Sequence, residues 1–100
     1  MPAPTDEHLY IVAYDIADQK RWRRVFKVMN GYGEWLQLSV FQCRLSRKRL
    51  VQMRGALRDA ILDGADHVLI LDLGPADAVR PRLESLGKTV QVVERTPIIV

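Results

Sequence analysis

The run Leu9-Tyr10-Ile11-Val12-Ala13-Tyr14, closed by Asp15, limits the fold more than any other stretch. It alternates too little for a strand with one wet face, so it predicts a central strand over residues 8–14, covered on both sides. Asp18 then stands where a side-chain oxygen can accept from a backbone N–H two or three residues on, the mark of a helix N-cap. The helix is expected over residues 19–30, with Trp22, Val25, Phe26 and Met29 at i, i+3, i+4 and i+7 as its apolar stripe. Gly31 suits its C-cap.

The remaining pattern completes the order of elements. Residues 34–45 carry strand formers, but the period slips at Leu38-Ser39-Val40, which predicts a bulge or two short strands joined by a sharp turn. Ser46 caps a second helix over residues 47–63, with Leu50, Met53, Leu57 and Ile61 buried, and Gly64 ends it. Residues 66–73 read as a second strongly buried strand broken by Gly74-Pro75, residues 76–88 as irregular with one helical turn, and residues 88–94 as a last strand. Residues 1–7 read as a loose tail and residues 96–100 as an apolar tail that either docks on a partner or stays disordered.

Two helices covering one face of a four- to five-stranded, mainly antiparallel sheet make a ferredoxin-like α+β sandwich, here one domain over residues 1–100. The other face has no helices, yet its strands are too apolar to stay wet. A homodimer packed through that sheet face resolves the conflict.

Composition narrows the partners. The chain has 100 residues, 48% of them apolar, and no stretch nears the ~20 apolar residues of a membrane span. The first residues show neither the basic start nor the apolar run of a signal peptide. A single cysteine, Cys43, excludes an internal disulfide and a cysteine-based zinc site, and points to a reducing cytoplasm. Net charge is only +3, but residues 19–49 hold nine Lys or Arg against one acid, Glu34. That polarity suggests a polyanionic partner, bound through phosphates and without membrane. Arg21, Arg24 and Lys27 on the first helix, and Arg47 and Lys48 opening the second, are the candidate phosphate contacts.

Asp15 is the best candidate for chemistry. A carboxylate at the end of a buried strand suits Mg²⁺ or Mn²⁺, although such a residue first reads as strand termination. One carboxylate makes a poor Mg²⁺ site alone; a two-fold axis near the strand end would pair two copies. Asp18 is an outer-sphere candidate that reads first as an N-cap, and Asp72 is a candidate for an acidic cluster with Asp15. His8 and His67 fit no metal spacing, and His67 beside Asp66 reads as a surface pair at a strand start. No nucleophilic triad and no phosphate-cradling glycine loop are present.

Tyr14-Asp15-Ile16 after an apolar strand, Asp18, Lys20 and Arg21 opening a basic helix, and Ser39-Val40-Phe41-Gln42 resemble the small CRISPR-associated endoribonuclease family, the non-integrase component of the CRISPR spacer-acquisition machinery. The resemblance spans about residues 8–95. It implies a ferredoxin-like homodimer and metal-dependent phosphodiester cleavage of RNA or DNA, with Asp15 of each subunit as the catalytic Mg²⁺ ligand. It also implies an alternative, non-catalytic role, in which the dimer holds duplex DNA and bridges integrase subunits. Arg21 and Arg24 match basic positions on the first helix, and Ser39 and Phe41 match the second motif. That motif often continues with Glu and Gly, where this chain has Gln42-Cys43.

Overall fold

A computed structural model describes residues 6–87 of the chain. The elements are β1 (His8–Asp15), α1 (Gln19–Asn30), β2 (Gly33–Gln37), β3 (Val40–Leu45), α2 (Arg47–Ala60) and β4 (His67–Pro75). The four strands form one antiparallel sheet in the order β2-β3-β1-β4, with both helices on one face, which is the ferredoxin-like sandwich. The expected strand over residues 88–94 and the tails at residues 1–5 and 96–100 lie outside the described residues.

Side-chain alternation along β1 sets the two faces. Tyr10, Val12 and Tyr14 point to the helices and join Phe41, Cys43 and Leu45 of β3. Val25 and Met29 of α1 and Leu50, Met53 and Leu57 of α2 close this core. Trp22 and Phe26 stack on its rim with ring centroids 5.2 Å apart, so the two aromatics are packing residues. Both helices begin as their sequences dictate: the Arg21 N–H donates to the Asp18 side chain and the Arg49 N–H to that of Ser46.

The period slip at residues 38–40 is the turn between β2 and β3. Leu38 takes φ 39° there, and the Trp35 indole N–H donates to its carbonyl at 2.9 Å. At the start of β2, Gly33 faces the neighbouring strand so closely that a Cβ would sit 2.6 Å from the Gln42 carbonyl oxygen and against the Cys43 sulfur. Backbone cannot yield as a side chain can. Gly33→Ala should therefore cost about 1–3 kcal/mol of stability, read as a lowered urea midpoint with an unchanged slope.

Four expectations are corrected. The second helix stops at Ala60, with Ile61 as its cap residue, three residues short of the expected end. Below it, Leu62 to Asp66 form a tight connection in which the Ala65 and Asp66 N–H groups donate to the Leu62 carbonyl. Gly74-Pro75 does not break the last described strand. Gly74 at φ 113° absorbs a register shift opposite Leu9 and Tyr10, and Pro75 is tolerated because β4 is an edge strand of the described sheet. For the same reason β4 is not strongly buried: Leu69 and Leu71 are 56% and 54% exposed. Glu7 is not part of a loose tail, because its carbonyl accepts from the Ala76 N–H and its carboxylate pairs with Arg44.

Between β1 and β4 the face without helices is apolar as expected, while the register puts Gln42 of β3 and Glu34 of β2 on the same face. Ile11 and Ala13 of β1 stand opposite Leu71 and Leu69 of β4, and nothing among the described residues covers them.

Candidate active site and nucleic-acid surface

Asp15 ends β1 directly opposite His67, the first residue of β4. It follows Ile11 and Ala13 in the two-residue alternation, so it belongs to the uncovered face. Its carboxylate is solvent-exposed and makes no hydrogen bond or ion pair among the described residues. The N-cap duty falls on Asp18 alone, which leaves Asp15 free of a structural task. A hard divalent cation takes such a carboxylate as one of its oxygen ligands, so the donor chemistry fits Mg²⁺ or Mn²⁺. Among the described residues no group of three or more candidate donors surrounds it within one chain. Any such site needs oxygen from substrate, water or a second copy.

Asp72 does not join Asp15. Pairing is antiparallel, so the end of β4 lies at the start of β1, and Asp72 stands opposite Tyr10. That is five residues back along the strand, about 17 Å at the rise of a β-strand. There the His8 Nδ1 lies 2.9 Å from its carboxylate and the Gly74 N–H donates to it, and these contacts hold its carboxyl below the usual range.

The structure also brings in a residue that sequence reasoning set aside. Asp66 is the buried anchor of the loop after Asp15, with its side chain wholly enclosed. One carboxylate oxygen accepts from the Ala17 N–H at 3.0 Å and from an Arg21 terminal nitrogen at 3.2 Å. The other accepts from Arg21 Nε at 2.7 Å and from the Leu62 N–H at 2.8 Å. The guanidinium and the two backbone donors hold its carboxyl far below the usual carboxylate range. Asp66 thus ties the Asp15 loop to the first turn of α1 and to the connection after α2. No local signal in the sequence marks it, since Arg21 is 45 residues away.

Arg21, one of the α1 residues expected to meet phosphate, is engaged bidentately by a carboxylate of its own chain. Arg24 and Lys27 are exposed and unpaired, and with Lys20 at i, i+4 and i+7 they form a basic stripe along α1. Arg47 and Lys48 are also exposed and unpaired, but they lie at the other end of the sheet, where Leu45 stands opposite His8. Their neighbour Arg49 lies over the Tyr32 ring at 4.4 Å and donates to the Gly31 carbonyl, joining the start of α2 to the end of α1. The stripe thus runs across the helix layer, whereas Asp15 looks out from the sheet.

Ser39 and Phe41 support the site by packing and not by reaching it. The Ser39 hydroxyl accepts from the Trp22 indole N–H at 2.8 Å, and its carbonyl accepts from the Tyr14 N–H beside Asp15. Phe41 is fully buried under Tyr14. Cys43 is enclosed as well, and burial pushes its thiol up to about 11, which removes it as a nucleophile.

The chain is similar in sequence and fold to known proteins. The sequence profile of the CRISPR associated protein Cas2 family matches residues 8–91. The CRISPR-associated endoribonuclease Cas2 of Geobacter sulfurreducens is 57% identical over 94 residues, covering 94% of this chain and 99% of that protein. A relative of the same description in Rhodospirillum rubrum, Cas2 1, is also 57% identical over 94 residues, covering 94% of this chain and 92% of its own. The crystal structure of Streptococcus pyogenes Cas2 at pH 6.5 superposes with a TM-score of 0.70 at 30% identity, covering 79% of this chain and 99% of that one. Sequence and fold agree along nearly the whole length of these relatives, and the chain belongs to the CRISPR-associated Cas2 family.

Proposed function

We propose that the chain is a divalent-metal-dependent endonuclease that works as a homodimer joined through the uncovered sheet face. The single observation that carries this reading is Asp15, a solvent-facing carboxylate with no structural partner among the described residues, at the rim of an apolar face. Ile11, Ala13, Leu69 and Leu71 supply that face, and a second copy would cover them and add its own Asp15. When bound there, Mg²⁺ or Mn²⁺ supplies Lewis acidity toward a phosphodiester oxygen and acidifies water. The chain's own part is to hold the Asp15 carboxylate in place through the Asp66 anchor and to attract the phosphate backbone with its basic stripe. The names of its relatives as endoribonucleases favour RNA as substrate. The test is metal-dependent cleavage of RNA and DNA by the wild type against Asp15→Asn.

One observation favours a second reading, a DNA-binding scaffold that bridges integrase subunits during spacer acquisition. The free cations Arg24, Lys27, Arg47 and Lys48 lie on the helix layer, away from the face that carries Asp15. A duplex held along the helices would not be presented to Asp15. Either reading expects salt-sensitive binding: Arg24→Ala and Lys27→Ala should each lower the slope of log K against log salt by about 1, in titrations of a labelled duplex. Unchanged slopes would remove these residues from the phosphate surface.

A further inference from the structure

We propose that His67 is a second metal donor beside Asp15, so that each chain offers a divalent cation one imidazole and one carboxylate instead of a carboxylate alone. The inference rests on the metal-dependent reading of Asp15 and deepens it.

Register carries the argument. His67 and Asp15 are direct partners in the antiparallel pairing of β4 with β1. Directly opposed residues share a face and have Cβ atoms about 4.5–5.5 Å apart. A carboxylate oxygen and an imidazole nitrogen from such a pair can converge on one ion at bond lengths of about 2.0–2.2 Å. The His67 ring, like the Asp15 carboxylate, is exposed and makes no hydrogen bond or ion pair among the described residues. The other histidine differs: His8, at the far end of β1, is engaged by Asp72. The next two opposed pairs on the same face are Ala13 with Leu69 and Ile11 with Leu71. Along the described residues of β1 and β4, these two polar groups close an apolar row of four residues, where a covering surface would strip water from them.

The donor set decides the metal. Mg²⁺ takes oxygen ligands and keeps its waters, whereas imidazole suits transition metals. A His–Asp pair should thus favour Mn²⁺ or Co²⁺ over Mg²⁺, in a way that depends on His67.

The test uses the full chain and three cations, Mg²⁺, Mn²⁺ and Co²⁺, titrated calorimetrically into wild type, His67→Gln and His8→Gln. His67→Gln should weaken Co²⁺ and Mn²⁺ binding by about 10-fold or more and change Mg²⁺ binding by less than about 3-fold, while His8→Gln changes none of them. In the Co²⁺ form, proton NMR should show a strongly hyperfine-shifted imidazole N–H signal that is absent from His67→Gln and present in His8→Gln. Equal Co²⁺ affinity in wild type and His67→Gln, or a shifted signal that survives His67→Gln, overturns the proposal and leaves Asp15 as the sole protein donor. The metal-dependent reading fails separately, when Asp15→Asn cleaves with Mg²⁺ as fast as wild type. A wild type that binds none of the three cations overturns both.

Discussion

Asp15→Asn should lower metal-dependent cleavage by about 100-fold or more while leaving the fold and nucleic-acid binding intact. The size follows from the chemistry, since withdrawing a cation's contribution to the transition state removes several kcal/mol and each 1.4 kcal/mol is about tenfold in rate. The selectivity follows from the structure. Asp15 is exposed, makes no side-chain bond among the described residues, and takes no part in capping α1, which Asp18 does alone. Asparagine keeps the shape and removes the charge. Cleavage is measured on RNA and on duplex DNA with and without Mg²⁺, and folding by thermal denaturation of both proteins. Equal residual cleavage in the two proteins would place the activity elsewhere or in a contaminant. Spacer uptake separates the readings further: the scaffold reading expects Asp15→Asn to support it, and a folded, DNA-binding variant that cannot would count against the scaffold.

The largest loss of stability should come from Asp66. Asp66→Asn takes the charge from a carboxylate that satisfies Arg21 twice and two backbone N–H groups, and leaves the guanidinium facing a neutral amide. Removing one member of an enclosed pair leaves the other uncompensated, and the thermal midpoint should fall on the order of 10 °C at neutral pH. Arg21→Ala should produce a comparable fall, and the double variant should be less than additive.

The pH dependence has a definite sign. The folded carboxyl is held far below the unfolded value of about 3.9, so its stabilisation is fully present above that value and fades as pH falls below it toward the folded value. The gap in midpoint between wild type and Asp66→Asn should thus be constant from about pH 5 to 7 and narrow below about pH 4, followed by circular dichroism. A gap that is absent at pH 7 would show that the Asp66 contacts do not hold the loop.

Much of the fold was legible because local signals and periodicity agreed. The apolar stripe from Trp22 to Met29 and the Asp18 cap bounded α1 to the residue, as the Ser46 cap did for the start of α2. The break in alternation at Leu38 marked the β2–β3 turn. The end of α2 was missed because Ile61 continues the helical apolar spacing although it caps the helix. The exposure of β4 was missed because a strand with one uncovered apolar face has the same composition as a strand buried on both sides. Leu69 and Leu71 look like core residues until their neighbours are known.

By itself the sequence determined the order of the described helices and strands, where the helices begin, and that a lone aspartate ends the first strand. These follow from spacing, capping chemistry and apolar period, all of which act within a few residues. Only the tertiary structure decided which charges are free. Arg21 and Arg24 are neighbours on one helix, yet the first is claimed by Asp66 and the second is left to solvent. Asp72 and Asp15 each follow an apolar run, yet antiparallel pairing puts them at opposite ends of the sheet, and it sets His67, not Asp72, beside Asp15. A side chain's availability depends on partners tens of residues away, and that information exists only once the strands have chosen their register.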